Sequence, residues 1–199
     1  GNKILVAGSI SNDFSTTSKL VSVFNGATGT WTRDSLSIPR VSAIAGSVHN
    51  LALIAGGFGG APDYTASDRV DIYNDSTGLW FTASLSEGRG NMCTVTMGSK
   101  VFFAGGLKSL GSGILSNRVD IFDASTNQWT TATLTQARRN IVAFALAGKV
   151  YFAGGERSFT AGLSSNRVDI YDPTSNTWSS ANMPTFQTNA GGAVIGDKA

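Results

Sequence analysis

The chain has one histidine and one cysteine among its 199 residues. A single thiol, Cys93, cannot form an internal disulfide, and its place in the apolar stretch Met92–Met97 reads as that of a small buried hydrophobe. The lone imidazole, His49, stands in a Val-His-Asn turn. Metal centres and acid–base dyads are thus deprived of their commonest ligand. Charged residues make up only 14% of the chain, against about 25% in an average soluble protein. The net charge of +2 is small and scattered, which argues against a nucleic-acid partner. No apolar run approaches the roughly 18 residues that cross a bilayer, so membrane insertion is not expected. The chain opens Gly1-Asn2-Lys3 without Met or an apolar leader, and so reads as a processed product or a fragment. A convincing helical period is missing too. The chain is expected to be all-β.

What is present is a repeat. Trp31, Trp80, Trp129 and Trp178 are each 49 residues apart. An apolar strand precedes each at the same offset, ending in Phe24, Tyr73, Phe122 and Tyr171. Upstream, Gly56-Gly57, Gly105-Gly106 and Gly154-Gly155 keep the spacing, and the first copy has Gly8-Ser9 with one residue fewer before its strand. Each unit parses into four short strands, with Asn, Pro and Gly at the turns. One is an inner strand such as 141–146, and a second, such as 150–153, ends at the glycine pair. After a loop of about eleven residues come a third, such as 168–171, and a fourth near the Trp. A sheet this small with two apolar faces cannot stand alone in water. Radial stacking buries both faces and leaves short edges. The glycine pairs suit positive φ or close approach by a neighbour, and the Trp column suits packing between sheets.

Gly-Gly, then Tyr or Phe, then Trp in four in-register copies resembles the kelch-repeat family across essentially the whole chain. The resemblance implies a kelch-type β-propeller of four four-stranded blades in one domain. The repeats span approximately 1–40, 41–89, 90–138 and 139–187. The first departs most, with Ser9 for the second glycine and Ser22 for the strand Asp. Both ends fall at the same turn of the repeat, so the first blade lacks its innermost strand. Residues 188–199 are expected to supply it and close a four-bladed ring. The alternative is four blades of a larger propeller.

Two sets of residues are candidates for ligand contact. The loops after the glycine pairs vary between copies and offer Phe14, Phe58, Tyr64, Ile114 and Phe159. The second set is periodic. Arg40, Arg89 and Arg138 lie nine residues after a Trp, with Gln187 in the fourth place, followed by Ser42, Asn91, Asn140 and Asn189. Opening the innermost strands, they would ring one mouth of the channel. In the substrate adaptors that the family resembles, arginines near this position bind acidic peptides. The alternative is structural: Arg on loop carbonyls and Asn bracing a turn. Arg69, Arg118 and Arg167 share a strand face with Asp71, Asp120 and Asp169, which predicts ion pairs at i, i+2. Asn74-Asp75-Ser76 is a glycosylation sequon at a turn.

Kelch-bearing copper oxidases need several His and a Cys–Tyr link, and iron-binding kelch proteins need a Glu/Asp/His cluster. Glu87 and Glu156 have no nearby His, and no nucleophile elbow, phosphate loop or paired-cysteine site is present. No catalytic residue, metal ligand or cofactor is assigned. The expected function is a non-catalytic scaffold that binds a protein or peptide through its loop face. The alternatives are a lectin-like carbohydrate binder or a structural module of a larger extracellular protein. Low charge with many Ser and Thr leans towards an extracellular setting.

Overall fold

The computed structural model describes residues 2–10, 16–62, 64–159 and 163–199. Strands β1 (Lys3–Ile10), β2 (Thr17–Asn25) and β3 (Thr30–Ser35) form a three-stranded antiparallel sheet. Three four-stranded sheets follow. The second comprises β4 (Ile44–Val48), β5 (Leu51–Ala55), β6 (Arg69–Asn74) and β7 (Leu79–Ser84). The third comprises β8 (Cys93–Met97), β9 (Lys100–Ala104), β10 (Arg118–Asp123) and β11 (Gln128–Thr133). The fourth comprises β12 (Val142–Leu146), β13 (Lys149–Ala153), β14 (Ser165–Asp172) and β15 (Thr177–Gln187). In every sheet each strand pairs with its sequence neighbour. No helix occurs among the described residues, so none is long and apolar enough to cross a membrane.

The turns explain several residue choices. Between the last two strands of each sheet, a left-handed position is held by Gly29, Gly78, Asn127 and Asn176, at φ 68°, 73°, 56° and 53°. Only glycine and asparagine take that conformation readily. His49 fills the corresponding place in an earlier turn, at φ 52°. The lone histidine is a turn residue.

The sheets pack face to face as blades. Val101, Phe103, Phe122 and Trp129 of the third sheet lie against Val48, Leu53, Val70 and Ile72 of the second. The opposite face of the third sheet, with Cys93, Phe102, Val119 and Ile121, meets Val150, Phe152, Tyr171 and Trp178 of the fourth. Trp80 reaches the first sheet, packs near Val21 and Val23, and donates its indole N–H to Asp34 Oδ2 at 2.7 Å. Each of these three tryptophans therefore serves the interface with the blade before it. Trp31 is 60% exposed, with the Phe24 ring 5.0 Å away on the neighbouring strand. Trp129→Ala should cost about 3 kcal/mol, through lost burial and a cavity. Trp31→Ala should cost less than about 1 kcal/mol. Urea unfolding of both variants checks the contrast.

The expected ring closure is not made. In its sheet β1 pairs with β2 alone, and residues 191–199 do not add a strand beside it. The tail instead turns back at a bridge between Ile195 and Lys198 and lies over the free face of the fourth blade, where Gly192 approaches Val142. This placement covers part of the apolar surface formed by Phe144, Tyr151, Ile170 and Met183.

Cys93 is buried, and its S–H points at the Ala104 carbonyl, 3.5 Å away. Burial pushes its thiol up to about 12, against the opposing influence of the Arg138 and Arg89 charges. A thiol reagent at pH 8 should leave the native protein unmodified and label one site after denaturation. A mass shift on the folded chain would refute this assignment.

Candidate functional site

Each blade presents two ends. One carries the short turns within hairpins. The other carries the loops after the glycine pairs together with the connectors between blades, and its construction begins with buried arginines. Arg40, Arg89 and Arg138 are fully buried, so the expectation that they face a ligand is overturned. Each holds the connector entering a blade onto that blade's second and third strands. Arg40 donates to the Ile54 carbonyl at 2.8 Å and pairs with Asp71 at 2.6 Å. Arg89 donates to the carbonyls of Gly105 and Arg118, each at 2.7 Å, and pairs with Asp120. Arg138 donates to the carbonyls of Gly154 and Arg167 and pairs with Asp169. The second carboxylate oxygen of each Asp accepts a connector N–H, from Ser37, Ser86 or Thr135, each at 2.8 Å. Burial lowers the pKa of all three guanidiniums, and the paired carboxylates oppose that shift.

The same geometry corrects the expected pairs at i, i+2. Asp71, Asp120 and Asp169 point at the connector arginines. Arg69, Arg118 and Arg167 make no salt bridge among the described residues. The overlooked signal was a second constant offset: Arg and Asp recur 31 residues apart in register.

Ser42, Asn91, Asn140 and Asn189 all sit in the left-handed region, at φ 56°, 53°, 51° and 49°. Their repeat follows from backbone conformation, which asparagine tolerates. Asn140 and Asn189 also reach a feature of the fourth blade, the buried carboxylate of Glu156, at 3.3 and 3.1 Å. Arg139 (2.6 Å) and Thr188 (2.9 Å) complete its shell. Burial alone would raise the Glu156 pKa, but the bonds from Arg139, Thr188 and Asn140 hold it below the ordinary value. Glu156 occupies the position of the buried Phe58 and Leu107 in earlier blades. With both carboxylate oxygens accepting hydrogen bonds, it is an anchor.

The loop aromatics divide. Phe58 is 1% exposed and packs against Gly90, so it is core and does not contact a ligand. Phe159 is half-buried, with the Arg139 guanidinium 4.6 Å above its ring and Gly113 of the preceding loop at its edge. Tyr64 is half-buried at φ 44°. Phe14 lies outside the described residues. Among the described residues, the exposed large apolar side chains of these loops are Ile114 and Leu163, at 56% and 45%.

Beneath the variable tips the anchoring is constant. The second glycine of each pair donates to the backbone carbonyl of Arg89, Arg138 or Gln187, each at 2.8 Å. That glycine's own carbonyl accepts from the returning serine, Ser67, Ser116 or Ser165, at 2.8 to 2.9 Å. The serine hydroxyl then accepts the N–H of Arg69, Arg118 or Arg167, at 3.0 to 3.1 Å. Among the described residues, no group of three or more His, Cys, Asp or Glu could hold a metal ion.

Comparison with known proteins agrees with this architecture. The kelch motif matches residues 88–133 and 137–182. The chain is similar to a solved structure titled "Structure of YjhT", with a TM-score of 0.73 over 96% of this chain and 70% of that one. At 15% identity the likeness is one of fold. No curated protein matches the sequence. Two matched kelch motifs, a tryptophan repeated in register four times and four antiparallel sheets stacked as blades give the chain the architecture of a kelch-type β-propeller.

Proposed function

We propose that the chain is a non-catalytic binding module that holds a protein or peptide on the loop end of its blades. The observation that carries this reading is the contrast at that end. One hydrogen-bond scheme anchors loops 58–67, 107–116 and 156–165, while their tips vary, most of all between 58–67 and the other two. A rigid base with variable tips is how a scaffold acquires specificity. Ile114 and Leu163 give those tips apolar contact area, and Lys108 and Arg157 flank them with charge.

The test is a displayed-peptide selection run in parallel with a glycan array. Hits are re-measured on Ile114→Arg, on Leu163→Arg, and on Thr126→Arg at the turn end. Peptide binding should fall about tenfold or more in the loop variants and hold in Thr126→Arg. Glycan hits without peptide hits, or sensitivity confined to Thr126→Arg, would overturn the reading.

A further inference from the structure

The third and fourth blades differ at one matched place on the loop end. In the third blade, Lys108 is paired with Glu87 at 2.6 Å, and Glu87 also accepts from the Ser116 hydroxyl. One period later the cation persists as Arg157 and the serine as Ser165. The acid has become Gln136, which accepts the Ser165 hydroxyl at 2.8 Å. The hydrogen bond is kept and the negative charge is gone.

Gln136, Arg157, Asn166, Arg167, Asn182 and Phe186 line a concavity of about 290 Å³. No carboxylate lines it, and neither arginine makes a salt bridge among the described residues. Arg167 makes only long contacts, to Ser180 at 3.5 Å and Asn182 at 3.4 Å. Phe186, 62% exposed, stands at the rim. The volume lies at the bottom of the range for small-molecule pockets, so it suits one side chain better than a cofactor.

We propose that this concavity binds the carboxylate of an acidic side chain from a polypeptide partner, held between Arg157 and Arg167 with an apolar neighbour against Phe186. Two guanidinium groups supply bidentate donors, the amides supply more, and an incoming carboxylate restores the charge that Glu87 provides one blade earlier. The proposal rests on the loop-end reading and names the partner chemistry within it.

The probe is a blocked peptide, acetyl-Gly-Gly-Glu-Phe-Gly-Gly-amide, titrated into the full chain and followed by the arginine side-chain N–H resonances. It should shift Arg157 and Arg167, weaken with added salt, and bind about tenfold less tightly in Arg157→Gln and in Arg167→Gln. Gln136→Glu should silence the site while leaving both arginines in place. Equal binding by the Gln counterpart of the peptide, or binding unchanged by Gln136→Glu, would overturn the proposal. So would binding of trigalacturonate or sulfate without the peptide. Selected peptides that depend on Ile114 and Leu163 but ignore Gln136→Glu would sink this site and leave the loop-end reading standing. Carboxylate binding here, with all selected peptides indifferent to Ile114 and Leu163, would do the reverse.

Discussion

Arg89→Ala should unfold the protein more readily than any surface change, with a loss of about 3–5 kcal/mol. The side chain is fully buried, so the substitution removes its pair with Asp120 and its bonds to the carbonyls of Gly105 and Arg118. Asp120, 2% exposed, then keeps only the N–H of Ser86 as a partner. An uncompensated buried carboxylate dominates the cost. Arg89→Lys should rescue little, because one ammonium cannot reproduce a fork that serves two carbonyls and a carboxylate. The double replacement Arg89→Met with Asp120→Leu should recover part of the loss, since the buried charge leaves with its partner. Recovery should stay incomplete while the Gly105 carbonyl lacks its donor; the Arg118 carbonyl keeps the Gly105 N–H at 2.9 Å. Denaturant unfolding of the three variants decides the matter. A loss below about 1 kcal/mol for Arg89→Ala would show that the clamp is not structural.

Gly106→Ala should cost about 3 kcal/mol or more, from two causes acting at one atom. Gly106 has φ 107°, where a side chain is strained. An added Cβ would also meet the Gly90 carbonyl oxygen at 2.6 Å and Met92 Cγ at 2.7 Å. The first obstacle is backbone and cannot swing aside, so overpacking adds to the strain. The glycine N–H meanwhile donates to the Arg138 carbonyl at 2.8 Å, and any shift lengthens that bond. Gly78→Ala is the control. Gly78 also has positive φ, but its Cβ would meet nothing within 4 Å, so only the strain of about 1–2 kcal/mol remains. A thermal melt should place Gly106→Ala well below Gly78→Ala. Equal midpoints would refute the close-approach argument.

The fold was legible because its determinants are local and repeated. Strand alternation, turn residues and the Trp column each recur at 49 residues, and any one copy interprets the others. The site was less legible, for a physical reason. A residue repeated in register satisfies the same demand in every blade, and that demand is structural. Arg40, Arg89 and Arg138 recur because every connector must be held down. Asn91 and Asn140 recur because an inner strand is entered through a left-handed residue, and Asn189 keeps the same conformation ahead of the tail. Specific recognition needs what the copies do not share, such as Gln136 in place of Glu87. Reading such differences requires knowing which side chains converge, and Arg157 with Arg167 is a convergence that sequence order conceals.

The meander order of every sheet has a consequence for how damage spreads. Within each sheet a strand pairs with its sequence neighbours, and the apolar seams among the described residues join consecutive blades. Such an arrangement behaves as a short one-dimensional lattice, whose free energy is a sum over units and the seams between them. A defect in one blade weakens that unit and its two seams and leaves the rest nearly intact.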